Sequence, residues 1–318
     1  MNNDNCGKYT QGLVSVIIPT YKRADKLLRA INSVCNQTYE NLEILVVNDN
    51  ENDDQYTKEL LVLFENITDP RVRLVFQERH INGAAARNAG IKKAKGEFIA
   101  FLDDDDIWAE NKVQRQIETF AGLDESYGAV STLFCSFLDN RIISKSIPYK
   151  DGYIWENILL RRCDVTTCSI MLRHEALDET GYFDESLKRH QEIQLLSFFS
   201  KKYKIYLLKE YLLYVDAWGE NNPTSDRIIK IKEDFFKSVN PLMKDLPEKR
   251  QNRIINMHKF EIAFVLLREK KLFQCMKYFM PVVCSPVTLY YAIERVAIRR
   301  KSKRMAKNES SRILNCKD

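Results

Sequence analysis

The sequence predicts an α/β fold with a mostly parallel central sheet, helices on both faces, and a helical C-terminal region. Three observations lead there. Buried-strand patterns alternate with helical ones from the N-terminus onward, and several of those strands end in polar clusters. After about Asp226 the strand patterns cease, and helices rich in Lys and Arg take over.

Taken in order, Leu13 to Ile18 is a strand stopped by Pro19. The segment Ala24 to Asn36 then sets Leu27, Leu28, Ile31, Val34 and Cys35 on one helical face. Leu42 to Val47 is a second buried strand, ending in Asn48-Asp49-Asn50. A helix over about Gln55 to Phe64 and a strand over Val72 to Phe76 follow. Asn82-Gly83 opens a helix that runs through Ala94, and Glu97 to Leu102 is the next strand. This β-α-β-α-β-α-β order implies parallel pairing through crossover helices. Further on come a helix over Lys112 to Phe120 and strands over Tyr127 to Phe137 and Thr166 to Leu172. A turn at Gly181 to Glu185, a helix from about His190 to Lys201, and strands over Lys204 to Leu208 and Tyr211 to Val215 close this part.

At 318 residues the chain can bury a large core, with one main domain and an appendage. The hydrophobic share of 45% and charged share of 29% are those of an ordinary soluble globular protein. A formal net charge of +5 is too modest to argue for nucleic acid. Eight Cys lack any CxxC pairing, which points to reduced thiols in the cytoplasm rather than disulfides or zinc. Met1 to Gln11 is polar, without the apolar core of a secretory signal.

The chemistry concentrates where the apolar run Phe98 to Leu102 ends in Asp103-Asp104-Asp105-Asp106. Four adjacent carboxylates repel one another and belong at a strand's C-terminal end, where open α/β sheets bind ligands. They suit a divalent cation that shares its shell with phosphate oxygens. The plainer reading is a solvated acidic turn that caps the next helix through Asp104 or Asp106. Asp49, at the tip of the second strand, suits a hydrogen bond to a nucleobase or ribose, or else an Asx-turn. Gly83 to Gly90 is a small-residue helix start whose free N–H groups and Arg87 could meet a diphosphate; close helix–sheet packing is the alternative.

The stretches VSVIIPTYKR, LEILVVNDN, RVRLVFQERHINGAAARNAGIKKAKGEFIAFLDDDDIWAENKV and TTCSIMLRHEALDETGYFDESLKRHQEIQL resemble family 2 glycosyltransferases with the GT-A, Rossmann-like fold. The resemblance covers about Leu13 to Val215. It implies a catalytic domain over residues 1–225, with a nucleotide-sugar half over about 12–110 and an acceptor half over about 111–225. Residues 226–318 form the basic helical region. It further implies that Pro19, Thr20, Tyr21 and Arg23 enclose the nucleotide and that Asp49 bonds the uracil ring, although Asn48 stands where the family usually has a first acid. Arg87 falls near the nucleotide phosphates, and Asn82 is among the nucleotide-sugar-binding residues. Asp103 and Asp105 align with the D-x-D pattern, Asp103 toward the ribose and metal, Asp105 toward the Mn²⁺ or Mg²⁺ on the diphosphate, with Asp104 and Asp106 as adjacent helpers or helix-capping residues.

The implied reaction also needs a base for the acceptor hydroxyl. In the family this is the second acid of a pair after the G-x-F-D-E turn, and here that pair is Gln191-Glu192, making Glu192 the candidate. Asp184 reads as a turn-former. Many relatives carry a metal-touching His after the last strand; here Asp216 is the nearest substitute. His80, His174, His190 and His258 show no metal-ligand spacing. Trp108 and Trp218 suit either sugar stacking or core packing, with Trp108 assigned to packing.

Tyr278 to Ile293 carries no charge but is interrupted by Pro281 and Pro286 and is short for a membrane span. A basic cluster from Arg295 to Lys307 follows it. That pairing fits peripheral docking on an anionic inner leaflet, near a lipid-linked or glycan acceptor, and equally a helical cap with a basic tail. The expectation is an inverting, metal-dependent transferase using a UDP-sugar in surface-polysaccharide synthesis. One rival is a nucleotidyltransferase, which would carry a Gly-rich loop after the first strand where this chain has Pro19-Thr20-Tyr21-Lys22-Arg23. The other is a non-catalytic metal-binding scaffold module, which leaves Asp49, Arg87 and Glu192 without a role.

Overall fold

The computed structural model describes residues 8–77, 79–217 and 223–307. Its centre is a nine-stranded sheet. In the first half, β1 (Thr10–Thr20), β2 (Leu42–Asn48), β3 (Val72–Phe76) and β4 (Gly96–Phe101) pair in parallel in the spatial order β3-β2-β1-β4. Helices α1 (Ala24–Cys35), α2 (Gln55–Glu65) and α3 (Gly83–Lys93) make the crossovers. Beyond β4 the sheet is mixed. Strand β8 (Ile170–Arg173) lies antiparallel between β4 and β6 (Tyr127–Leu138), and β6 runs parallel to β9 (Lys204–Asp216). Short β5 (Ile107–Trp108) pairs with the far end of β9, and β7 (Arg141–Lys145) forms a hairpin with β6.

The continuous apolar runs follow from burial on both faces. Along β1, Val14, Val16 and Ile18 pack with Leu27, Ile31 and Leu60 of α1 and α2, whereas Ile17 faces the core on the other side. Pro19 is tolerated inside β1 because pairing with β4 has already ended at Ile17 and Phe101, so no ladder partner there needs its N–H. Helix α3 lies close against the sheet through buried Ala84, Ala85 and Ala86. At Gly90 even a methyl group would come 2.4 Å from Ile17 Cγ2, so the backbone contact requires glycine.

Where the structure departs from the sequence expectation, a local interaction explains it. Thr166 to Leu172 is a strand only from Ile170 on; Thr167–Ser169 is a 3₁₀ turn held by Ser169 Oγ donating to the Thr166 carbonyl at 2.7 Å. The two strands expected over 204–215 are one, with register shifts opposite Thr132 to Phe134. No Asp of the acidic run caps a helix: β5 intervenes, and α4 (Lys112–Ala121) begins after Asn111. Helices α5 (Trp155–Leu159) and α6 (His174–Thr180) and strand β7 are too short to carry a readable period. Helix α7 (Gln191–Lys202) matches its expected span.

Between 225 and 307 the elements are all helices: α8 (Ser225–Met243), α9 (Glu248–Arg268), α10 (Leu272–Val283) and α11 (Pro286–Lys307). Phe235, Val239, Ile254 and Met257 join the cluster that holds Ile17, Phe101 and Phe199. The composition shift near Asp226 therefore marks a change of architecture within a shared core. The uncharged stretch over 278–293 is split between α10 and α11, and no helix among the described residues is long and apolar enough to cross a membrane.

Candidate active site

The sheet's parallel half sets its polar strand ends side by side. Asp49 follows β2 and is buried, its N–H donating to the Thr20 carbonyl at 2.9 Å. Gln77 Nε2 donates to Asp49 Oδ1 at 2.8 Å, and His80 Nδ1 lies 3.1 Å from the same oxygen. Burial raises the Asp49 carboxyl above its ordinary range, and His80 pulls it partly back. The His80 ring stacks on Tyr21, centroids 4.3 Å apart. Asn48, in place of the expected first acid, is fully buried and turns inward, donating to Thr57 Oγ1 and accepting from Asn50. It shapes the turn, and Asp49 is the carboxylate at the end of β2.

The acidic run wraps round the end of β4. Asp103 is partly exposed, pairs with Arg87 of α3, and donates its N–H to Cys168 Sγ at 3.2 Å. Asp104 is buried, accepting from the Tyr21 N–H at 3.3 Å and from Arg23 Nη1 at 3.3 Å. Asp105 pairs with Arg23, and its carbonyl accepts from Arg29 Nη2 at 2.9 Å. Asp106 is buried and accepts the Asp216 N–H at 3.0 Å. Asp216, at the end of β9, meets Lys26 at 3.1 Å and Arg29 at 3.2 Å. Thus α1 lays Arg23, Lys26 and Arg29 along one side of the acids, at helical spacing.

Burial, then the neighbouring acids, push Asp104 up to about 6. Asp105 rises chiefly through burial, and Asp106 rises well above the usual carboxylate range through burial and the charges of Asp103 and Asp105. Such crowding is relieved by a cation with oxygen ligands. Atoms of Asp103, Asp106 and Cys168 lie within 4.8 Å of one another. The Cys168 thiol is held well above its ordinary range by burial and by those two acids, so it is neutral sulfur and the carboxylates are the hard donors. The turn therefore fits a divalent cation with oxygen ligands. Asp106, read from the sequence as a helper or helix cap, stands beside Asp103 and Cys168, and Asp105 pairs with Arg23.

Across α3 the site continues. Arg87 also lines a cavity of about 440 Å³ with Arg161, Lys188, Arg189, His190 and Glu192. Glu192 is partly buried in the first turn of α7 and acts electrostatically on both Arg87 and Arg161. Helix α7 begins abruptly because His190 adopts a left-handed φ of 66°. Asn82 takes a scaffold part: its Oδ1 caps α3 by accepting from Ala84 and Ala85 N–H, and its Nδ2 donates to the Glu185 carbonyl at 2.7 Å. Asp184 accepts from the Ser186 N–H at 2.9 Å, as a turn-former does. Trp108 is buried with Nε1 donating to the Cys168 carbonyl at 3.1 Å, a packing role. Trp218 lies outside the described residues.

Pro19, Thr20, Tyr21, Arg23, Asp49, Arg87 and Asp103 to Asp105 thus meet at one sheet edge, and Arg87 joins them to Glu192. Gln77, His80, Cys168 and Arg161 were missed. Gln77 and His80 could have been found from their place just after a parallel strand, whereas Arg161 has no such signal.

The sequence model described as glycosyl transferase family 2 matches residues 15–181, a little over half of the chain. WfgD of Escherichia coli, a UDP-Glc:alpha-D-GlcNAc-diphosphoundecaprenol beta-1,3-glucosyltransferase, is 35% identical over 173 residues, 54% of this chain and 64% of its own length. AmsB, an amylovoran biosynthesis glycosyltransferase of Erwinia amylovora, is 32% identical over 190 residues, 57% of this chain and 62% of its own. The chain therefore spans less than two thirds of the length of these relatives. Among solved structures, S. aureus TarS 1–349 in complex with UDP-GlcNAc superposes with a TM-score of 0.59 at 18% identity, covering 94% of this chain and 92% of that one. The mannosyltransferase PcManGT from Pyrobaculum calidifontis, in complex with GDP-Man and Mn²⁺, gives 0.56 at 15% identity, covering 96% and 88%. These likenesses bear out the GT-A arrangement of sheet and helices. With its motifs on the matching strand ends, the chain belongs to glycosyl transferase family 2.

Proposed function

We propose that the protein transfers a sugar from a UDP-sugar, with inversion, to a hydroxyl of a glycan or lipid-linked acceptor in surface-polysaccharide assembly at the cytoplasmic face of a membrane. The observation that carries this is the junction at Arg87, which pairs with Asp103 on the acidic turn and shares a cavity with Glu192. The names of WfgD and TarS 1–349 support the uridine donor.

The uracil is met by Asp49, with the Tyr21–His80 stack beside it. Arg23 and Arg87 face the diphosphate, where guanidinium geometry suits paired phosphate oxygens. A divalent cation on the aspartate turn would offset the charge that develops on the leaving diphosphate. Glu192 takes the proton of the acceptor hydroxyl. The acceptor oxygen forms a bond to the anomeric carbon as the bond from that carbon to the diphosphate breaks, and the electron pair leaves on the β-phosphate oxygen. One such displacement inverts the anomeric centre.

Calorimetric titration of UDP with and without Mn²⁺ tests the donor half. Binding that requires Mn²⁺ and weakens sharply in Asp105→Ala is expected. Equal binding with and without the ion, in both proteins, would remove the metal role; no binding of UDP, GDP or dTDP would sink the reading.

A further inference from the structure

Three cavities share walls along one flank of the molecule. The first is an apolar groove of about 1060 Å³ between α9, α10 and α11, with Ala263 and Ala292 among its lining. Phe264, Leu267 and Ile293 also line it and are 47%, 52% and 60% exposed. The second, of about 730 Å³, has Phe260, Phe264, Val296 and Arg300 in common with the first. Arg268, Arg295, Arg299 and Lys303 also line it, and its one carboxylate among the described residues is Glu261. That carboxylate is already engaged, by Lys232, by Arg161 Nε at 3.2 Å and by Arg295 Nη2 at 2.6 Å. Pro223 and Ile228 line both this second cavity and the third, which contains Glu192.

Apolar groove, basic trough and carboxylate thus follow one another in the order of an apolar chain, an anionic link and a sugar hydroxyl. We propose that this flank is the acceptor site for a lipid-diphosphate saccharide. The isoprenoid chain lies in the groove of α9 to α11, the diphosphate lies against Arg299, Arg300 and Lys303, and the saccharide reaches Glu192. The proposal rests on the glycosyltransferase reading above and gives its acceptor a place. Removal of the chain from water favours the groove, and cationic side chains beside it fit a diphosphate rather than a neutral headgroup. A bilayer surface alone would account for the groove and the charges but not for their continuity with the cavity of Glu192.

The test titrates geranylgeranyl diphosphate, inorganic pyrophosphate and geranylgeraniol separately into the full chain, with UDP plus Mn²⁺ as a control. The lipid diphosphate is expected to bind at least about tenfold more tightly than either fragment. Phe264→Glu and Leu267→Glu, both on exposed groove positions, should weaken the lipid diphosphate by about tenfold or more and leave pyrophosphate unchanged. Arg299→Ser with Lys303→Ser should weaken both diphosphates, and no variant should change UDP binding. Equal affinity for the alcohol and the diphosphate, or indifference to these variants, overturns the proposal. So does full displacement of the probe by phosphatidylglycerol vesicles, which assigns the surface to the bilayer, or a dimer in sedimentation that Leu267→Glu dissociates, which assigns it to a second copy. If UDP binds and the lipid probe does not, the acceptor site alone falls. If the probe behaves as expected and UDP does not bind, the donor reading falls instead.

Discussion

Lys112 is fully buried at the start of α4, with its Nζ 3.9 Å from the centre of the Trp108 ring and donating to Gln116 Oε1 at 2.8 Å. Among the described residues no carboxylate accepts a hydrogen bond from it, and burial lowers its pKa from 10.5 to about 7. That displacement corresponds to about 5 kcal/mol against the charged form in the fold. Between those values the unfolded chain holds a proton that the folded chain lacks, so this group's contribution to stability rises with pH across the window and levels off below about 7. Lys112→Met keeps the stem and removes the ionisable group. At about pH 7.5 it relieves about 4 kcal/mol and forfeits about 1–2 kcal/mol of amine contacts to Gln116 and the indole, a net gain of about 2–3 kcal/mol. Urea unfolding of both proteins at about pH 7, 8 and 9 should show the variant's advantage shrinking as pH rises, by about 1 kcal/mol with each step. An advantage that stays constant would refute the reasoning, because it would mean that the ammonium remains charged over the ring. The residue matters to the site because Gln116 Nε2 also holds the Val130 and Ser169 carbonyls, and Trp108 holds the Cys168 carbonyl.

Glu192→Gln should lower the transfer rate by about a hundredfold or more while UDP affinity stays within about twofold, measured by product formation and calorimetry. Gly90→Ala should destabilise by about 1–3 kcal/mol, seen as a lower thermal midpoint, since the added methyl would meet Ile17 at 2.4 Å. His80→Ala should weaken UDP binding by removing the ring stacked on Tyr21 and hydrogen-bonded to Asp49; unchanged affinity would place the uracil elsewhere.

The parallel half of the sheet was legible because β1, β2 and β4 are buried on both faces and carry nearly unbroken apolar runs, with a helix of clear period, α1, after the first. Asp49 and the acidic run could be placed because each follows directly on such a run, and Arg87 because it lies in a small-residue helix start. What lay hidden depends on contacts distant in sequence. The Asp106–Cys168 proximity needs a 3₁₀ turn that composition reads as strand, and the Gln77 contact with Asp49 follows from the register that sets Phe76 beside Asn48. Asn82 stands in the nucleotide-sugar motif, and an asparagine before a glycine-alanine helix start is also an ideal cap, which its side chain forms here. Arg161 reaches the cavity of Glu192 from a left-handed position, φ 58°, after α5, which no periodic pattern foretells.

On the proposed donor site, the pairing of Arg23 with Asp104 and Asp105, and of Arg87 with Asp103, would make donor capture an exchange of partners. A diphosphate arriving with a cation would bring a replacement for each half of both pairs, phosphate for the guanidiniums and the ion for the carboxylates. Opposite charges enter together and the site's total changes little. Ionic strength should consequently affect nucleotide affinity much less than in a pocket that presents bare arginines, and the pairs re-formed on release would help drive the spent nucleotide out.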